Sequence, residues 1–119
     1  MPVKVKRIYE EAKDEDGIRV LVDRIWPRGM SKEKARLDHW MKEVGPSNEL
    51  RKWFGHDPQK YPAFKEKYKM ELTSGDQQKE LEKLKQLIKE NNKEMTLLYA
   101  AKDEKNNQAN VLKEILDHQ

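Results

Sequence analysis

Two short stretches of this chain are apolar at consecutive positions instead of alternate ones: Val20-Leu21-Val22, and Met95 to Ala100 broken only by Thr96. A strand with one face in water alternates apolar and polar side chains. A strand covered on both faces does not, and such cover is the rule for parallel sheets. Longer segments with apolar residues at helical spacing lie between the two runs and after the second. This order predicts an α/β fold: a small, mostly parallel sheet with helices on both faces.

The composition allows little beyond that sheet and its cover. Of 119 residues, 39% are charged and 35% hydrophobic, with a mean hydropathy of -1.14. One domain over residues 1–119 with one modest core is expected. Disordered chains are also this polar, but they lack clustered aromatics, whereas Trp26, Trp40, Trp53, Tyr61, Phe64, Tyr68 and Tyr99 sit among periodic aliphatics. The absence of cysteine removes disulfides, thiolate chemistry and cysteine-bound metal. Met1 to Arg7 alternates charged and apolar residues, unlike a signal peptide. No run approaches the roughly 18 apolar residues of a membrane span, so a cytoplasmic location with no membrane partner is the expectation. The net charge is only +3 despite a pI of about 9.0, because 25 basic residues interleave with 22 acids. The densest basic stretch, Arg28 to Arg36, contains Glu33. Phosphate-backbone binding needs more concentrated potential, so nucleic acid is not the expected partner.

Val3 to Tyr9 reads as a first strand whose mixed second face, Lys4, Lys6 and Ile8, marks a sheet edge. The acidic loop at 10–17 closes on the turn signal Asp16-Gly17. Its length falls short of the dozen or so residues a parallel crossover usually takes, which leaves an antiparallel first strand open beside a very tight crossover. After a strand at 18–23, Pro27 and Gly29 end regular structure. Ser31 then caps a helix predicted over 31–44, with Leu37, Trp40, Met41 and Val44 buried, His39 in solvent, and Gly45 as left-handed terminator. Pro46-Ser47 opens a short helix that buries Leu50, Trp53 and Phe54 and closes at Gly55. Proline chemistry splits the next segment into a turn at 58–61 and a helix from near Pro62 burying Phe64, Tyr68 and Leu72. Ser74 and Gln77 fit a capping box ahead of a helix with Leu81, Leu84, Leu87 and Ile88 inside, ending near Asn91-Asn92. Asn106 or Asn107 caps a last helix over Ala109, Leu112, Ile115 and Leu116.

In open α/β sheets ligands gather beyond the carboxyl ends of the strands. Asp23-Arg24 and Lys102-Asp103 directly follow the two most buried strands, so a parallel arrangement brings them to one edge. Arg28 and Gly29 lie on the loop leaving the first of these, and Ser31 begins the next helix. An arginine beside free helix N–H groups suits phosphate or another small anion. Trp26 is placed to line that pocket, Trp40 and Trp53 to pack, and Tyr9 and Tyr99 to sit in the core. His56 follows Gly55 and precedes Asp57, where a loop can present it to the same opening for proton transfer. No histidine spacing gives a metal signature, and no phosphate loop or nucleophile elbow is present. The sequence names no cofactor and no oligomeric partner. The plainer alternative is that Asp23 with Arg24, or Arg28 with Asp103, pair only to tie loops together.

Three motifs occur in order: Arg19-Val-Leu-Val-Asp-Arg-Ile-Trp-Pro-Arg-Gly29, Leu50-Arg-Lys-Trp-Phe-Gly-His56 and Leu97-Leu-Tyr-Ala-Ala-Lys-Asp103. Together they closely resemble the YeaO-like branch of the domain-of-unknown-function family 488, over nearly the entire chain. The resemblance implies a compact α/β protein without an established activity. It places the family's polar positions at Asp23, Arg24, Arg28, Gly29, Lys52, His56, Lys102, Asp103 and Asn107. Family members commonly carry a histidine before that last asparagine. Here Asn106 stands there, which keeps a helix cap but no proton-transfer group. As an enzyme, the chain would use Asp23, His56 and Asp103 as catalytic groups. Arg24, Trp26, Arg28, Gly29, Lys52, Lys102 and Asn107 would hold a small anionic, phosphate-bearing ligand. A non-catalytic metabolite-binding or structural domain is the alternative. A nucleic-acid accessory protein using Arg28, Lys32, Lys34 and Arg36 is a third.

Overall fold

The computed structural model describes residues 3–90 and 94–118. Its strands are β1 (Lys4–Arg7), β2 (Ile18–Leu21), β3 (His39–Trp40) and β4 (Met95–Tyr99), all parallel in the order β1-β4-β2-β3. The two apolar runs supply the two central strands. Val20 pairs with Leu97 and Leu21 with Leu98, and all four are fully buried. β1 is an edge, as its mixed pattern predicts. The antiparallel alternative for it is overturned, because β1 lies beside β4 instead of β2 and runs the same way. The connection at 8–17 must run back along one strand and step across β4, a diagonal of roughly 16 Å at standard strand spacings. Ten extended residues reach about twice that, so no crossover helix is needed.

The helices are α1 (Lys32–Ala35), α2 (Asn48–Phe54), α3 (Tyr61–Glu71), α4 (Gly75–Glu90) and α5 (Gln108–Asp117). The last four bury Phe54, Phe64, Tyr68, Leu84 and Leu112 with Val20, Val22, Leu97 and Tyr99 in the main core. The opposite side of the sheet, with Ile8, Leu21 and Leu98, is covered by Ala35 of α1 and by Trp26, Met30 and Leu37 around it. A buried ion cluster ties α1 to that side. Arg19 donates to the Ala35 carbonyl (3.1 and 2.8 Å) and lies 2.5 Å from Asp16, which Lys6 approaches at 3.2 Å. Burial pushes the Asp16 carboxyl up, but the Lys13 N–H, Lys6 and Arg19 outweigh it and hold the group below its ordinary value.

The helix expected over 31–44 stops at Ala35. Arg36 turns left-handed (φ 46), and the chain extends into β3 because Asp38 N–H donates to Arg19 O (2.9 Å) and Met41 N–H to Leu21 O (3.0 Å). Met41 and Val44 are still buried, the latter in a 3-10 turn at Lys42–Val44, whereas Trp40 is 39% exposed. Gly45 is extended (φ -70), not left-handed. A Cβ there would meet Val22 O at 3.1 Å and the Arg24 Cγ at 3.2 Å, so close approach is what favours glycine. Ser47 caps α2 and Gly55 ends it left-handed, yet Trp53 is 40% exposed and leaves Leu50 and Phe54 to the core. A separate turn at Pro58–Lys60 precedes α3, which buries Phe64 and Tyr68 with Leu72 just beyond it. The Gln77 amide donates to Gly45 O and to Glu71, so its side chain bridges elements where a capping box was expected. The stripe of α4 is buried at Leu81, Leu84 and Ile88, and its expected end at Asn91-Asn92 lies outside the described residues. Tyr9, expected inside, is exposed, and Ile8 takes the buried place.

Candidate functional site

Because β2 and β4 run parallel, the loops leaving their carboxyl ends meet, and a cleft of about 1170 Å³ opens there. Asp23, Arg24, Trp26, Arg28, Lys52, His56, Lys102, Asp103 and Asn107 all line it. Gly29 does not; its φ of 75 serves the turn that returns the loop.

The loop after β2 is anchored at three points. Tyr9 Oη donates to Arg28 O (2.8 Å), Trp26 Nε1 to Met30 O (2.7 Å) and Trp40 Nε1 to Asp23 O (2.7 Å). The two indoles meet edge to face at 5.3 Å. Arg28 therefore projects from a fixed backbone, and its guanidinium has no hydrogen bond or ion pair among the described residues. The loop-tying pairs do not form. Arg24 turns to Pro46 O (2.7 Å) and Gly45 O (3.3 Å) and pairs with Glu43. Ser31 is no part of the cleft, and its hydroxyl accepts the Lys34 N–H (3.1 Å), which closes that helix start.

Asp23 is the deep carboxyl of the cleft. Its Oδ2 accepts the Ala100 N–H (2.9 Å) and its Oδ1 the Gln108 amide. Burial nevertheless pushes it up to about 6, against those donors and the positive fields of Arg51 and His56. Asp103 is spent on its own loop: Oδ1 accepts the Lys105 and Asn106 N–H groups and Oδ2 the Asn106 amide, each at 2.9 Å. Those donors hold its carboxyl below the ordinary value. Asn107 is buried as the cap of α5, accepting the Asn110 N–H (3.0 Å) and donating to Asp103 O. His56 has left-handed backbone (φ 58) directly after left-handed Gly55. Two such residues in succession swing the chain out of α2 and set the imidazole, 6.2 Å from the Phe54 ring, at the cleft wall.

Sequence reasoning missed Asn48, Arg51 and Gln108, which also line the cleft. Arg51 donates to Asn48 (3.0 Å) one helical turn away, and with Lys52 they form the i, i+3, i+4 face of α2. That spacing, next to His56, was a usable signal. Gln108 gave none, since only the approach of α5 to Asp23 brings it in. Glu71 accepts from the Ser47 N–H (2.9 Å) and hydroxyl (2.5 Å) and so holds the start of α2. Trp26, Pro27, Pro46, Phe54 and Phe64 give the opening apolar walls. Among the described residues no cluster of histidine and acids could hold a metal, and no helix is long and apolar enough to cross a membrane.

The family model described as the inactive DUF488-N3 subclade matches residues 2–119. The chain is 44% identical over 112 residues to Uncharacterized protein YeaO of Escherichia coli (strain K12), covering 94% of each. It is 46% identical over 82 residues to Uncharacterized protein Rv3073c of Mycobacterium tuberculosis (strain ATCC 25618 / H37Rv), covering 69% of this chain and 70% of that one. No solved structure matches.

Proposed function

Because the chain belongs to the inactive DUF488-N3 subclade, we propose that it is a binding domain for a small anionic ligand, held without chemistry beyond the carboxyl ends of β2 and β4. One observation supports this above the rest. Arg28, Lys52 and Lys102 reach the cleft from three separate segments, and none has an acidic partner among the described residues. Like charges gathered at one opening repel until an anion joins them. Arg28 offers a planar donor fork and the lysines mobile point charges, a combination suited to phosphate or carboxylate. The apolar walls suit the remainder of such a ligand. The cysteine-free composition fits a reducing cytoplasm as the place where the ligand is met.

An enzyme using Asp23, His56 and Asp103 is the second reading, favoured by the raised Asp23 carboxyl beside His56. Against it, Asp23 and Asp103 already accept fixed donors. Asn106 also stands where the family commonly has a histidine. Calorimetric titration with inorganic phosphate tests the binding reading. Wild type should bind saturably, and Arg28→Ala should bind about ten- to a hundredfold more weakly, the loss expected for charge-assisted hydrogen bonds. Its melting should be unchanged, since Arg28 is exposed. Equal affinity in the variant, or no wild-type binding up to about 10 mM, would refute an anion site at Arg28.

A further inference from the structure

At the end of β4 the Arg7 guanidinium takes two successive carbonyls: Nε donates to Ala101 O (2.9 Å) and Nη2 to Ala100 O (3.3 Å). No peptide bond among the described residues is cis. In a planar trans unit the N–H points opposite to the carbonyl that precedes it. The N–H groups of Ala101 and Lys102 are therefore both turned away from Arg7. Ala100, Ala101 and Lys102 line the cleft, and Arg7 does not. The Ala100 N–H is taken by Asp23, whereas no acceptor among the described residues takes those of Ala101 and Lys102. Ala101 is half-buried and Lys102 exposed, so both donors are open to what enters the cleft. Successive N–H groups turned to one side make a concavity that receives anions.

We infer that the Ala101 and Lys102 N–H groups, oriented by Arg7, form a two-donor receptor for one oxyanion group of the cleft's ligand, a carboxylate or a phosphoryl. This rests on the reading of the cleft as an anion site, and adds where the anion lies and what orients its donors. The Lys102 ammonium supplies charge at the same residue, and Arg28 approaches from the other loop. Arg7 is a positioning residue: it stands behind the peptide planes, where one planar guanidinium fixes two carbonyls at once.

Amide spectra of isotope-labelled protein, titrated separately with inorganic phosphate and with acetate, test the receptor. With at least one of them, the Ala101 and Lys102 amide protons should move downfield together, saturating with the same Kd as the rest of the cleft. The tighter anion identifies the group. Arg7→Lys exchanges the planar fork for a mobile point donor that does not fix the two carbonyls in one plane, so its Kd should rise about tenfold or more and the two shifts should lose their common direction. Saturating shifts near Arg28 and Lys52 with Ala101 and Lys102 unmoved would overturn the backbone receptor and leave the anion cleft standing. Silence of the whole cleft to both anions would overturn both. If Arg7→Lys does not fold, the wild-type shifts alone decide.

Discussion

Burial raises the Asp23 carboxyl to about 6, although the Ala100 N–H and the Gln108 amide donate to it and Arg51 and His56 add positive field. The same group has a value of 3.8 when exposed. Between the two, the folded protein keeps a proton that the unfolded chain has released. Asp23 therefore costs stability as pH rises through that window, up to roughly 3 kcal/mol once fully ionised. Asp16, Glu71 and Asp117 act in the opposite sense, because their lowered values lend stability at neutral pH that is lost in acid. Asp23→Asn should gain on wild type as pH rises from 3.8 to about 6, read as the difference between melts of the two proteins. A difference flat across that range would show that folding leaves Asp23 unperturbed. At Trp53 an emptied core site would cost about 3–5 kcal/mol. The ring is instead 40% exposed, with the Lys60 and Lys67 ammonium groups 5.2 and 5.1 Å from its centre. Trp53→Ala should cost only about 1–2 kcal/mol, mostly two exposed cation–π contacts. A denaturant melt showing a loss above about 3 kcal/mol would return it to the core.

Two glycines at element boundaries separate backbone strain from crowding. Gly17 and Gly75 share nearly the same left-handed φ (68 and 67). A Cβ on Gly75 meets nothing within 4 Å, whereas one on Gly17 would lie 2.6 Å from Glu94 O, the acceptor of the first N–H of β2. Gly75→Ala should cost about 1 kcal/mol, the left-handed penalty alone. Gly17→Ala should cost about 2–4 kcal/mol, since the entry to β4 must also shift. Equal losses in chemical denaturation would mean that Glu94 yields freely. The same contrast between local and distant forces decides what the chain's pattern reveals. Central strands and α2 to α5 were legible, because continuous apolarity, Ser47 and Asn107 caps and helical spacing act within a few residues. β3 was not. Leu37, Trp40, Met41 and Val44 fit a helix locally, but Arg19 and Leu21, far back in the chain, accept the hydrogen bonds that extend it.

For the molecule as a whole, one topological rule makes the cleft readable in the sequence: parallel central strands deliver their following loops to one edge. It gathered Asp23, Arg24, Arg28, Lys102 and Asp103 at one opening, whereas Gly29 and Ser31 fall outside the lining and Lys52 and Asn107 were placed by the family resemblance alone. It could not reveal the Ala101 and Lys102 donors, because every residue but proline has an N–H and only a fold says which are open. Strand order has a further consequence, for the chain as it is made. β4 stands between β1 and β2 but is the last strand to be translated. Until it emerges, β1 has no neighbour and β2 only the two residues of β3 on its outer side. At roughly 5–20 residues per second, the ribosome leaves Val20-Leu21-Val22 waiting about 4–15 s for Met95–Tyr99. A nascent sheet with an open seam invites pairing with its neighbours on a polysome. The closely interleaved lysines and acids of this chain keep the unfinished product hydrated while the seam is open.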